Sequence, residues 1–170
     1  VAVVAKSRPE AEMAIQAVDV QWKTNKVWEQ EEINELIKVG SGTEYLIQKA
    51  GSSMEGDDLI EAEYATPAGA HAQLEPSGAV AHVQGDKAIV YISTQVPNQT
   101  RKEVAEVLGL EEEQVEIQPT YLGGAFGRKL HTPNAMQAAL ISKAVDKPVH
   151  VFYSRKDEFQ MAQFRPPTHH

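Results

Sequence analysis

The segment that most constrains this chain is Gly123-Gly124-Ala125-Phe126-Gly127-Arg128-Lys129, with the alternating Val115-Glu116-Ile117 before it and Thr132-Pro133 after it. Three glycines in five positions let the backbone take left-handed conformations and approach a neighbour closely. Strand, Gly-rich loop and helix in succession form the elementary unit of α/β folds. A strand is expected over 115–120. Thr132 reads as an N-cap and Pro133 as the first turn of a helix through 145, ended by Lys147-Pro148. Such a loop is either a tight structural connection or a cradle whose N–H groups and helix N-terminus meet an anion. It is not a P-loop, because only two residues separate Gly124 from Gly127 and Leu130 stands where Ser or Thr would hold magnesium. Its spacing also misses the dinucleotide fingerprint.

The rest of the chain supplies a sheet for this unit. Residues 79–84 and 87–94 read as a hairpin turned at Gly85-Asp86, and 149–153 as a further strand. Thr100-Arg101-Lys102-Glu103 has capping-box spacing, and Val104, Ala105, Val107 and Leu108 form the apolar face of a helix stopped by Gly109. Toward the N-terminus, strands over 1–5 and 18–22 flank a helix over 8–17 with Ser7 as N-cap and Pro9 in its first turn. An acidic helix over 29–39, Gly40-Ser41-Gly42 and a short helical stretch over 43–50 follow. Gly51-Ser52-Ser53 and Gly56-Asp57-Asp58 punctuate the end of this region, before a strand over 59–64. Residues 10–63 hold thirteen acidic residues and four Lys, while 64–170 hold eleven acidic and ten basic ones, so the two parts have different roles. The expected fold is α/β (α+β), a mixed sheet with flanking helices, divided at residues 1–56 and 57–170.

Composition narrows the function. With 170 residues and 42% hydrophobic residues, the chain can bury a core without disulfide or metal staples. The absence of Cys excludes thiolate catalysis, zinc fingers, protein-ligated iron–sulfur clusters and disulfides. A net charge of −8 disfavours nucleic acid as a partner. No apolar run reaches the ~18–20 residues that would cross a bilayer. The apolar start at Val1-Ala2-Val3-Val4-Ala5 reads as a chain cut from something longer.

Four segments, in order and spacing, resemble the molybdenum hydroxylases, the xanthine dehydrogenase and aldehyde oxidase family. Tyr121-Leu122-Gly123-Gly124-Ala125-Phe126-Gly127-Arg128-Lys129 is similar to the family's Gly-Gly-x-Phe-Gly loop. Ala70-His71-Ala72-Gln73-Leu74-Glu75-Pro76 is similar to its His-Ala-x-(Met/Leu)-Glu-Pro segment, Ser93-Thr94-Gln95 to its Thr-Gln segment, and Ser154-Arg155-Lys156-Asp157-Glu158 to its (Thr/Ser)-Arg-(Glu/Lys)-(Asp/Glu) segment. Arg128 after Phe-Gly brings the likeness nearest to the isoquinoline 1-oxidoreductase large subunit and related exported aldehyde dehydrogenases. The resemblance is good over 58–166 and thin before that, where residues 1–22 look like the close of the family's α/β hammerhead unit and 24–56 like its variable connector.

The resemblance implies molybdopterin with molybdenum, in its cytosine dinucleotide form, and hydroxylation of an aldehyde or N-heteroaromatic substrate with water-derived oxygen. It also implies an iron–sulfur small subunit as the partner through which electrons leave, and a periplasmic location, with the cytoplasm as the alternative. It places Gln95 near the metal's apical oxygen and Gly123, Gly124, Ala125, Phe126, Gly127 and Arg128 at the cofactor, none of them ligating the metal. From the residues alone, Gln95 reads rather as a strand-end side chain bonding its own backbone, and Phe126 as a core aromatic. Arg128 and Lys129 either neutralise cofactor phosphates or sit in solvent. His71, Leu74, Glu75 and Leu130 are placed at the substrate approach; His71 and Glu75 alone make a weak metal set, and a buried structural role suits them better. Leu130 stands where purine-oxidising members carry Glu, which points away from xanthine. The family's catalytic Glu belongs to a Gly-Glu-Gly segment that does not occur here, so no catalytic residue is expected in this chain, which would be an inactive part of a larger enzyme. The alternative is a free-standing binding or assembly module with the same fold and no metal chemistry.

Overall fold

The computed structural model describes residues 1–51, 60–161 and 163–170. The chain forms two compact units, Val1–Gly69 with Pro166–His170, and Ala70–Arg165. The boundary expected between residues 56 and 57 and the turn signals at 52–53 and 56–58 lie outside the described residues.

In the first unit, helices α1 (Arg8–Gln16) and α2 (Gln30–Leu36) form where capping and charge favour them. Glu10 accepts the Ser7 N–H at 3.0 Å, and Glu32 accepts the Glu29 N–H at 3.1 Å. The strands expected over 1–5 and 18–22 and the helix over 43–50 do not form. A strand needs a partner for its N–H and C=O groups, and among the described residues none pairs with these segments. The strand expected over 59–64 is replaced by a two-residue strand β1 (Ala65–Thr66), antiparallel to β6 (Thr168–His169); Leu59 lies outside the described residues.

The second unit is a four-stranded mixed sheet in the order β4-β3-β2-β5. Strands β2 (Gly78–Gln84) and β3 (Lys87–Ile92) form the expected hairpin, and Gly85 takes φ 60° in its two-residue turn. Strand β5 (Val149–Phe152) runs antiparallel to β2, and β4 (Val115–Pro119) parallel to β3. The parallel pair requires a crossover, supplied by α3 (Pro97–Leu108). Helices α3 and α4 (Pro133–Val145) both pack on one face of the sheet, and α5 (Arg155–Met161) follows β5. That face is built largely of small residues: Ala79, Ala81 and Ala88 meet Ala105, Ala135, Ala138 and Ala139 around Val90, Ile92, Val104 and Leu108. The i, i+3, i+4 spacing of the α4 alanines puts them in one stripe, which lets the helix lie close on β2.

Two starts and stops differ from expectation. Helix α3 begins one turn earlier than the capping-box spacing suggested, at Pro97, so Thr100 lies inside it. Thr100 is fully buried, and its hydroxyl donates to the Val96 carbonyl at 3.0 Å. Strand β3 stops at Ile92, not 94, because Ser93 and Thr94 turn their side chains to bonds with the Gly-rich loop. Gly109 ends α3 in the left-handed conformation as expected, φ 68°.

Candidate functional site

Three segments meet beyond the ends of β3 and β4: residues 71–75, residues 93–95 and the loop 121–130. Their junction is one carboxylate. Glu75 Oε2 accepts the Gly123 N–H at 2.9 Å, the Ser93 hydroxyl at 3.0 Å and the Lys129 ammonium, and the Glu75 N–H donates to the Gly123 carbonyl at 2.9 Å. Lys129 is 2% exposed and also donates to Ser93 Oγ at 3.0 Å. Burial pushes the Glu75 carboxyl up, but Lys129, the Gly123 amide and Ser93 outweigh it and hold it below the usual carboxylate range. The Lys129 carbonyl accepts the Gln95 N–H at 3.2 Å and the Thr94 hydroxyl at 3.3 Å. A buried run of hydroxyls, Thr94 to Thr100 at 3.3 Å and Thr100 to Thr132 at 3.1 Å, joins the end of β3 to the starts of α3 and α4.

The loop itself is under conformational load. Gly124 and Gly127 take φ 93° and 96°, which glycine tolerates, but Phe126 takes φ 54°. An aromatic residue in the left-handed region costs about 1–2 kcal/mol and persists where its surroundings over-determine it. In the segment 71–75, Ala72 likewise takes φ 47°. The segments approach so closely that a Cβ on Gly123 would lie 2.5 Å from Glu75 Cβ, and one on Gly127 3.5 Å from His71 Nε2. Among the described residues, no protein acceptor takes the N–H of Gly124, Ala125, Phe126 or Gly127.

Beside the loop lies a second buried pair. Arg128 is 2% exposed and Glu158 3%, with Nε to Oε2 at 3.1 Å. Glu158 also accepts the Ser77 N–H, and Arg128 Nη1 donates to the His131 carbonyl at 3.3 Å. Burial pushes the Glu158 carboxyl up; Ser77, Gln73 and Arg128 around it outweigh that and leave it low. Among the described residues, four buried polar atoms here have no hydrogen-bond partner of ordinary geometry, His71 Nδ1, Gln73 Nε2, Ser77 Oγ and Arg128 Nη2, although the Ser77 hydroxyl and the Gln73 amide lie close enough to Glu158 to help lower its carboxyl. His71 is held below its ordinary pKa, first by burial and then by the charges of Arg165 and Arg128, so its ring is neutral near neutral pH.

The structure brings His71, Glu75, Gly123, Gly124, Ala125, Gly127 and Arg128 together. Phe126 is 65% exposed, so it is not a core aromatic. Arg128 and Lys129 do not lie in solvent; both are inside, in ion pairs. Gln95 is exposed, held by its backbone. Leu74 and Leu130 are also exposed, and the Leu74 carbonyl accepts Arg155 Nη2 at 2.7 Å. Ser77, Gln73 and Thr100 carry no sequence signal as site residues; only their burial marks them. Among the described residues no group of three or more His, Cys, Asp or Glu could hold a metal ion directly.

Comparison with known proteins agrees with this geometry. The molybdopterin cofactor-binding domain family matches residues 31–170. The aldehyde oxidoreductase molybdenum-binding subunit PaoC of Escherichia coli K12 is 36% identical over 110 residues, covering 64% of this chain and 15% of that protein. A membrane-bound aldehyde dehydrogenase (pyrroloquinoline-quinone) of Gluconacetobacter polyoxogenes is 29% identical over 178 residues, covering 99% of this chain and 23% of that protein. The crystal structure of quinoline 2-oxidoreductase from Pseudomonas putida 86 has the same fold, with a TM-score of 0.73 and 23% identity over 94% of this chain and 22% of its own. The chain thus spans no more than about a quarter of the length of any of these relatives. From the match over residues 31–170, the mixed α/β sheet and the Gly-rich loop at its edge, the chain belongs to the molybdopterin cofactor-binding domain family of the molybdenum hydroxylases.

Proposed function

We propose that this chain is part of the large subunit of a molybdenum hydroxylase that oxidises an aldehyde or an N-heteroaromatic compound, and that loop 123–127 and Gln95 hold the molybdopterin cofactor. The observation that carries this reading is the loop: four adjacent N–H groups for which no described residue supplies an acceptor, beside buried polar atoms that no described residue pairs at ordinary geometry. Buried polar groups are almost always paired within a protein. Left open here, on a strained loop, they suit a polar, oxygen-rich anionic group such as a pterin dithiolene phosphate or a metal oxo ligand.

When bound, molybdopterin supplies the two-electron redox and oxygen-transfer chemistry. The chain supplies orientation. The N–H groups of Phe126 and Gly127 donate to developing negative charge in the manner of an oxyanion hole, and Gln95 adds a neutral amide donor. Neutral His71 and the paired Arg128 border the loop without adding an unbalanced charge. Exposed Phe126, Leu74 and Leu130 offer apolar surface to a flat substrate. The proposal extends to the cytosine dinucleotide form of the cofactor, an iron–sulfur partner subunit, a periplasmic location and a catalytic Glu supplied outside these residues.

Elemental analysis of the purified full-length protein, with extraction and spectroscopic identification of its organic cofactor, tests the proposal. Molybdenum at close to one per subunit is expected. Pyrroloquinoline quinone without molybdenum would favour the cofactor in the name of the Gluconacetobacter relative. Finding neither would favour a binding module without redox chemistry.

A further inference from the structure

One carboxylate oxygen closes the Gly-rich loop on itself. Glu75 Oε2 takes the Gly123 N–H at one end of the loop and the Lys129 ammonium at the other, and ties both to β3 through Ser93. The return bond from the Glu75 N–H to the Gly123 carbonyl makes the clamp reciprocal. Gly123 must be glycine for this contact, since any Cβ would sit 2.5 Å from that of Glu75. Oε2 is saturated by these donors, while among the described residues Oε1 receives none. Lys129 is buried at 2% exposure, where an ammonium is stable only when paired. The Glu75 side chain is 39% exposed, and an exposed ion pair alone would contribute little to holding a loop, but here the ammonium is buried, a second donor is fixed backbone, and the loop between them carries the strained Phe126.

We propose that Glu75, Lys129 and Ser93 form a positioning latch that holds the N–H groups of residues 124–127 in the cofactor-receiving arrangement. None of the three touches the cofactor's reacting atoms; they act through the loop. The inference rests on the proposed cofactor role of that loop, and it makes a separate statement about loop order.

The test uses the full-length protein carrying Glu75→Gln, Lys129→Met or Lys129→Arg, with Val104→Ala as a control that weakens the core away from the loop. Amide hydrogen exchange at 123–129 and molybdenum content are measured on the same preparations. Glu75→Gln and Lys129→Met should raise exchange at Gly123 by about tenfold or more, the consequence of losing a charge-assisted bond, while strands 79–92 stay protected. Molybdenum content should fall by at least about half, Lys129→Arg should recover most of it, and Val104→Ala should leave it unchanged. Unchanged loop exchange in both disrupting variants overturns the latch. So does faster exchange with full molybdenum content, or an equal loss in the Val104→Ala control. If either disrupting variant does not fold, Ser93→Ala removes one donor while keeping both charges, and must show the same direction of change. A parent protein with no molybdenum defeats the cofactor role, and the exchange measurement still decides whether the latch orders the loop.

Discussion

Arg128 and Glu158 show how surroundings decide what a charged side chain meets. Two consecutive cations on a Gly-rich loop read as anion-binding or as solvent-facing, and Arg128 is nearly fully buried against a carboxylate thirty positions away. Removing one partner leaves the other charge inside without compensation, so Glu158→Gln should cost about 3–5 kcal/mol in chemical denaturation. Arg128→Met combined with Glu158→Gln should cost less than the two single changes added together, because the pair acts as one unit. Ser142 is a quieter example. Its hydroxyl accepts the Val83 N–H at 3.0 Å, beyond the last residue of β2 paired with β5, and donates to the Lys147 carbonyl at 2.7 Å. Ser142→Ala would orphan that buried N–H, an expected loss of about 1–3 kcal/mol.

Among elements, the glycines separate two kinds of constraint. Gly109 ends α3 at φ 68° with open space, nothing within 4 Å, where a Cβ would stand, so Gly109→Ala should cost only the backbone strain, about 1 kcal/mol. Gly123 has an ordinary φ but no room, so Gly123→Ala should push the loop off Glu75 and lower cofactor content while the sheet still melts cooperatively. Thermal unfolding followed beside molybdenum content distinguishes the two. The helix and strand sequence of residues 78–152 was legible because each element carries both a period and a stop signal. The residues expected as strands at 1–5 and 18–22 carry the apolar run without a partner, and an apolar run alone cannot tell a paired strand from an unpaired one. The start of α3 was misplaced because Thr100, a plausible cap, is used instead to tie two helices and a strand together.

For the molecule as a whole, the two paired carboxylates, buried Glu158 and half-buried Glu75, set the response to acid. A carboxyl whose folded pKa lies below its unfolded value adds stability that is present above the unfolded value and lost as pH falls through the folded one. Glu75 and Glu158 are both lowered, so stability should decline below about pH 4.5 and continue to decline until both are protonated. His71 is lowered as well, and a base lowered on folding loses stability as pH falls from about 6.5 toward its folded value. Denaturation midpoints measured from pH 7 to pH 3 should therefore fall in two stages, with His71→Phe flattening the first and Glu75→Gln the second.

The sequence by itself determined the local grammar: the hairpin at Gly85-Asp86, the left-handed stop at Gly109, the Pro-led start of α4, and the Gly-rich loop between a strand and a helix. Each follows from backbone preferences that depend on a few neighbouring residues. It also carried the family, because the four motifs stand in order and spacing. Only the tertiary structure decided what the charged residues of those motifs do. Glu75, Lys129 and Ser93 lie up to 54 positions apart, as do Arg128 and Glu158 at 30, and whether a charge meets solvent, a ligand or a buried partner depends on contacts that no local pattern encodes. The loop is legible as a glycine pattern; that it is latched at both ends by one carboxylate oxygen is a property of the folded chain.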